Sequence, residues 1–451
     1  MTENLIETAL ADATDTRAIV IGTDVLARTG AVYTELFGTR TAIVVADENT
    51  WAVAGEAVTA SLRAAGVPLA EPYVFPGVPT LYASYDNVTT LREHLRPLDA
   101  IAVSIASGTL NDLTKLASGE LEREYLNVAT AASMDGYTAY GSSITKDGFK
   151  QTIFCPAPAG LVADQRVLAA APARLTATGV GDLIEKVPAG ADWIIADELG
   201  IEPIDHGVWD LVQGPLRASL SNPEGLRDGD VAAISGLTEG LIMSGLSMQA
   251  YQSSRPASGA GHQFSHLWEM EKLGMDDEPP LSHGMKVGLG TISLCALYEV
   301  VLRRDLTAVD IDAVVTAWPT WDEREEQIRA TFPDDLVEAT VAQSKAKHLE
   351  PEQLRERLAL VRQKWPQIAE RVREQLLPAA EIERILGVVG AVTHPGQIGV
   401  DRARFRETYL RAQAIRSRYT LLDLLFETGL LTECVDELFA DGGFWATRPW
   451  S

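Results

Sequence analysis

The chain has 451 residues, 46% of them hydrophobic and 22% charged, and a formal charge of −25. Such a length exceeds one ordinary core and predicts two domains, while the composition is that of a globular protein rather than a disordered one. The charge excludes a broad nucleic-acid or anionic-membrane surface, which needs clustered Lys and Arg, but leaves room for a local basic pocket around a small anion.

The N-terminus, MTENLIETALADATDTR, lacks the basic start and apolar run of a signal peptide. No apolar stretch reads as long and uninterrupted enough to insert into a membrane. Cys155, Cys295 and Cys434 lie far apart in apolar or amphipathic contexts, without CxxC spacing, and read as buried free thiols. A reducing, cytoplasmic location is expected.

From about 17 to 170, β-branched runs (RAIVIG, TAIVVAD, PYVF, DAIAVSI, YLNVATA, GLVAD) alternate with helical patterns such as Val25 to Phe37 and Asn87 to Leu95. That alternation predicts an α/β, Rossmann-like domain with a mainly parallel sheet over residues 1–170. Within it, TAIVVADENT ends a strand on Asp47, which either meets the ribose hydroxyls of an adenosine or caps the strand end. Ser107-Gly108-Thr109 follows an apolar strand and starts a helix. Small residues there admit a phosphate to the helix N-terminus, or serve tight packing of strand and helix. The acidic strand end precedes the glycine turn, the reverse of the usual dinucleotide fingerprint. In TAASMDGYTA, Asp135 follows a strand and either hydrogen-bonds a substrate hydroxyl or makes an Asp-Gly turn.

Beyond about 170, helical periodicity dominates: Val231 to Ala250, His283 to Val301, Pro351 to Gln375 and Phe405 to Leu425. Residues 171–451 therefore read as all-α. In TGVGDLIEK, the glycines suggest a sharp turn into a helix, with Asp182 either aimed at a site or capping that helix. Of seven histidines, His262, His266 and His283 fall within 22 residues. His262 and His266, four apart, share one helix face, and His283 begins the next helix after a Pro-Pro turn. Two imidazoles and one carboxylate leave an open position, as a catalytic divalent metal requires.

In order, SGTLND, TAASMDGY, GVGDL, RPASGAGHQFSH and HGMKVGLG resemble the sn-glycerol-1-phosphate dehydrogenases, within the dehydroquinate synthase-like and iron-containing alcohol dehydrogenase superfamily. RSRYTLLDLLFETGLL near the C-terminus is similar to that family too. The resemblance implies an all-helical metal- and substrate-binding domain behind the Rossmann-like one. It implies metal ligation by Asp182, His262 and His283, with Asp135 at the substrate and His266 beside nicotinamide and substrate; as the one side chain of the set that titrates near neutrality when unperturbed, His266 is expected to relay a proton. It further implies NAD or NADP on Asp47, Ser107, Gly108, Thr109, Asp112, Thr130 and Ser133, and a homo-oligomer, dimer or larger. Where the iron-dependent enzymes add a fourth ligand this chain has Lys186, so a three-ligand zinc or nickel site is expected. Ser104 and Ala106 replace two family glycines, Gly261 replaces a Glu, and Ala129 and Ala132 replace prolines.

The implied reaction interconverts dihydroxyacetone phosphate and sn-glycerol 1-phosphate, a step of phospholipid metabolism, with Lys150 and Arg255 as candidate phosphate cations. Three other readings remain: dehydrogenation of an unphosphorylated polyol such as glycerol, a dehydroquinate synthase-like lyase, and a metal- and nucleotide-binding protein without catalysis.

Overall fold

The computed structural model describes residues 2–146 and 149–450, with side chains described for all of these except 2–5, 149 and 150. Its strands are β1 (Ala18–Gly22), β2 (Thr41–Asp47), β3 (Tyr73–Phe75), β4 (Ala100–Ala106), β5 (Tyr125–Ala129), β6 (Ser142–Lys146), β7 (Phe149–Ile153) and β8 (Gly160–Asp164). Six form one sheet in the order β1-β8-β5-β4-β2-β3, every neighbouring pair parallel. All residues of β4, β5 and β8 are buried. That is why these segments read as unbroken apolar runs instead of alternating ones: helices cover both faces of a parallel sheet. The chain runs from β2 outward to β3, then returns to place β4 on the other side of β2. The order therefore reverses between β2 and β4, and ligands bind at such a switch point, beyond the carboxyl ends of the strands.

Beyond β8 the described chain contains helices and no strand, as the periodicity predicts. Helix Thr2–Asp12 packs on helix Val231–Tyr251, and Ala9 belongs to the core of the helical half. Helices Val231–Tyr251 and His283–Val301 are, contrary to the reading of the sequence, long and apolar enough by length and composition to cross a bilayer. They are however 72% and 89% buried inside the protein, as core helices are.

Two local expectations are corrected. Gly179 and Gly181 do not turn the chain into a helix; they lie within helix Ala173–Ile184, which starts after Pro172. Nor does one helix span Phe405 to Leu425. Helix Arg402–Ala412 tightens into a 3-10 turn, Gln413–Ile415, and Arg416 is extended at φ −142° and ψ 146°. A new helix, Leu421–Glu427, starts at a Thr420–Asp423 capping box, in which each side chain satisfies a backbone N–H of the other residue. The hairpin β6–β7 carries no signal in the sequence strong enough to predict it.

Candidate functional site

A cleft of about 1200 Å³ runs from Asp47 at the end of β2, past the end of β4, to the helical half. Helix Gly108–Gly119 on its wall has Ser107 at its N-cap with no side-chain cap, so its first amides face the cleft. A Cβ on Gly108 would meet Met134 Sδ at 2.9 Å, so a larger residue there would have to displace that side chain. Asp47, Ser107, Gly108, Thr109, Asp112, Thr130 and Ser133 all line the cleft. Asp47 caps, since its Oδ1 accepts from Thr50 N at 2.8 Å. Ser104 and Ala106 are wholly buried and do not line the cleft. Replacing glycine at these two positions therefore adds no bulk to its wall.

Opposite, Asp182, His262 and His283 each offer one ligand atom, and the three atoms lie within 4.8 Å of one another. Three helices bring them together. Asp182 sits in the last turn of Ala173–Ile184, His262 in the first turn of Ala260–Met270, and His283 begins His283–Val301 behind the Pro279-Pro280 turn. The helices of Asp182 and His283 touch backbone to backbone: a Cβ on Gly181 would lie 2.2 Å from Gly284 O, and one on Gly284 2.0 Å from Thr178 O. Only glycine permits that approach.

Both oxygens of Asp182 are fixed. Oδ2 accepts from Asp135 N at 3.0 Å, and Oδ1 from Lys186 Nζ at 3.0 Å. Lys186 also donates to Asp182 O at 2.8 Å and pairs with Asp135 Oδ2 at 2.8 Å. Burial alone would raise the carboxyl of Asp182, but Lys186 and His262 outweigh it and hold the group well below the usual carboxylate range. Each imidazole has a carboxylate behind it. Glu185 Oε2 lies 2.9 Å from His262 Nδ1, and Glu269 Oε1 lies 2.8 Å from His283 Nδ1. Burial opposes a charge on His262, yet Glu185 and Asp182 push its pKa up to about 9. The pocket thus favours positive charge where the three ligand atoms converge, and the donor set, one carboxylate and two carboxylate-backed imidazoles, fits a divalent metal.

His266 shares the face of His262, with ring centroids 5.9 Å apart, and lies 5.9 Å from His283. It is not the unperturbed neutral-range titrator the sequence suggested: burial first, then the Arg416 charge, lower its pKa well below the ordinary value. Arg416 Nη2 stands 3.3 Å from its Nδ1. Because Arg carries only donors, His266 accepts at Nδ1 and holds its proton at Nε2. Asp135 lines the cleft, its Oδ2 taken by Lys186 and by Ser244 Oγ at 2.9 Å.

The two expected phosphate cations fare differently. Arg255 is corrected: its side chain is fully buried outside the cleft, donating to Tyr419 O and Asp192 O, both at 2.9 Å, and paired with Glu202 at 3.2 Å. Buried away from the cleft wall, that guanidinium does not face a ligand there. Lys150 falls in β7 by its backbone, but its side chain lies outside the described residues. Glu185, Lys186 and Glu269 were not predicted for the roles they take, and neither were the cleft-lining cations Arg416 and Arg418. Their one signal in the sequence is position: Glu185 and Lys186 lie three and four residues after Asp182, and Glu269 one further turn along from His266.

Residues 20–172 match the family of iron-containing alcohol dehydrogenases. The glycerol-1-phosphate dehydrogenase [NAD(P)+] of Halalkalibacterium halodurans is 34% identical over 264 residues, 58% of this chain and 66% of that protein. The chain thus spans just under two thirds of that relative. A relative with the same description from Methanococcoides burtonii is 33% identical over 284 residues, 62% of this chain and 76% of that protein. In fold, the chain is similar to maleylacetate reductase from Agrobacterium tumefaciens, with a TM-score of 0.60 at 14% identity over 94% of this chain and 96% of the other.

Proposed function

Since the chain belongs to the glycerol-1-phosphate dehydrogenase family, we propose that it interconverts dihydroxyacetone phosphate and sn-glycerol 1-phosphate with NAD or NADP. The observation that carries this reading is the single cleft that joins a helix N-terminus at the sheet's switch point to the triad of Asp182, His262 and His283. A divalent metal on the triad, zinc or nickel, supplies Lewis acidity toward a substrate oxygen, and the nicotinamide gives or takes the hydride.

The protein's own residues do the rest. The open amides at Ser107, Gly108 and Thr109 bind the pyrophosphate. Asp47 takes the adenosine ribose and, by repelling a 2′-phosphate, favours NAD. Asp112, Thr130 and Ser133, which line the same cleft, complete the cofactor's binding surface. Asp135, held by Lys186 and Ser244, orients a substrate hydroxyl. His266 presents its Nε2 proton to the substrate, neutral because burial and Arg416 disfavour the cation. The division near residue 170 into a cofactor half and a metal and substrate half belongs to the same proposal.

NADH oxidation by the zinc- or nickel-loaded protein, compared with dihydroxyacetone phosphate and with dihydroxyacetone, tests it. The phosphate is expected to be the better substrate, and the product to be the 1-phosphate rather than the 3-phosphate enantiomer. No turnover of the phosphorylated ketone with either metal and either cofactor rejects the reading.

A further inference from the structure

The break at residues 416–420 has a chemical consequence. Arg416 and Arg418 are two apart in a non-helical stretch, and both line the cleft at its helical side. Their partners are neutral: Arg416 faces His266 Nδ1, while Arg418 donates to Ser258 O at 2.7 Å and Ser254 Oγ at 2.8 Å. Among the described residues no carboxylate lies within salt-bridge distance of either guanidinium. Glu269, whose charge reaches Arg416, is hydrogen-bonded to His283.

Acidic residues outnumber Lys and Arg by 63 to 38 in this chain, so two neighbouring cations without an acidic partner stand against the background. Burial is the main cost to both. For Arg418 the charge of Arg255 adds to it, Glu202 opposes in part, Arg416 adds a little more, and the guanidinium comes down to about 10. Both side chains are half-buried, and the acids whose charge reaches them, Glu269 for Arg416 and Glu202 and Glu185 for Arg418, make no ion pair with them; an anion arriving from the cleft adds the charge-assisted, bidentate hydrogen bonds that these acids do not supply. Position selects the anion. Arg416 stands against His266, whose ring neighbours both imidazoles of the triad, whereas Asp47 and the open amides of Ser107 to Thr109 belong to the sheet side.

We propose that Arg416 and Arg418 bind the phosphate monoester of the substrate. The proposal rests on the triose phosphate reading above and supplies the cations that Arg255 does not. Arg418 is held ready by Ser254 and Ser258, and Arg416 joins the phosphate to His266, so that a bound monoester also fixes the ring that carries the proton.

The test uses the metal-loaded, full-length protein with Arg416→Gln, Arg418→Gln and Arg416→Lys. For each Gln variant the kcat/KM for dihydroxyacetone phosphate, relative to that for dihydroxyacetone, is expected to fall by about 30-fold or more, chiefly through KM. Arg416→Lys, which keeps the charge, recovers part of that ratio. Equal loss on both ketones, or an unchanged ratio, overturns the proposal. Inorganic phosphate at millimolar concentration supplies an arm independent of turnover: it raises the melting temperature of the wild type and not of either Gln variant. If dihydroxyacetone phosphate is not a substrate yet this difference persists, the functional reading fails while the anion site stands. If phosphate shifts all three proteins equally or none of them, the anion site fails.

Discussion

At the scale of single residues, the two imidazoles of the triad are held by acids that touch no ligand. Glu269 accepts from His283 Nδ1, leaving Nε2 to face the metal position, and Glu185 stands 2.9 Å from His262 Nδ1 as its ion-pair partner. Such carboxylates fix the tautomer and the ring angle and raise ligand basicity. Glu269→Gln keeps a hydrogen-bond acceptor but removes the charge, and is expected to weaken metal binding about 10- to 100-fold. Competition with a chelator of known affinity measures it, and an unchanged affinity would show that the acid merely packs. The triad itself was readable in the sequence because its motifs recur in a fixed order. Its supporting acids were not, since nothing local distinguishes Glu185 or Glu269 from a solvated helix face until the helices meet. Gly261 illustrates the point: a Cβ there would come within 2.8 Å of Glu185 Cγ, so the loss of the family's usual Glu at 261 is also what leaves room for Glu185 beside His262. Arg255 errs for the same reason, because a sequence does not tell which of several arginines faces the cleft.

Among the elements, the site depends on how closely the helices of Asp182 and His283 approach. Both helices are buried on nearly every side, Gly179, Gly181 and Gly284 among the buried positions. Gly284 follows His283 directly, so any displacement there is passed to a ligand. Gly284→Ala places a methyl 2.0 Å from Thr178 O, a contact relieved only by moving one helix. Overpacking of this kind costs about 1–3 kcal/mol. The variant is therefore expected to unfold at lower urea and to bind less metal per chain; full metal content at unchanged stability would mean that the contact is slack. The strands of the sheet were legible as apolar runs, and Val231–Tyr251, His283–Val301 and Pro351–Gln375 as periodic helices. Two features were not. The hairpin β6–β7 has short strands of mixed polarity, and the interruption at 416–420 is hidden because the apolar period resumes beyond it in nearly the same phase. There the capping box of Thr420 and Asp423 wins over continued helix.

Across the whole molecule, one apolar core extends from Ala9 near the N-terminus to Trp445 near the other end, so the C-terminal segment completes the helical half rather than decorating it. Polar groups are carried inside with it. Glu427 closes helix Leu421–Glu427, accepts from Tyr419 OH at 2.7 Å and lies 3.4 Å from Arg357 on helix Pro351–Gln375. Burial dominates its titration, and although Arg357 and Tyr419 pull the other way, the carboxyl is raised to about 7. With the folded value above the unfolded one, the native state holds this proton over a range in which the unfolded chain has released it. The stabilisation from Glu427 is then complete below about pH 4.5 and is lost as pH rises to about 7, amounting to roughly 3–3.5 kcal/mol. Glu427→Gln keeps the acceptor for Tyr419 but has no proton to lose. The difference in unfolding free energy between variant and wild type should accordingly move in the variant's favour by about 2.5 kcal/mol between pH 5 and pH 8, the part of that loss that falls in this window. Urea unfolding of the metal-loaded proteins at the two pH values measures the change. Titratable groups common to both proteins cancel in the comparison, so a difference that stays constant with pH would mean that Glu427 is already ionised in the folded protein at pH 5.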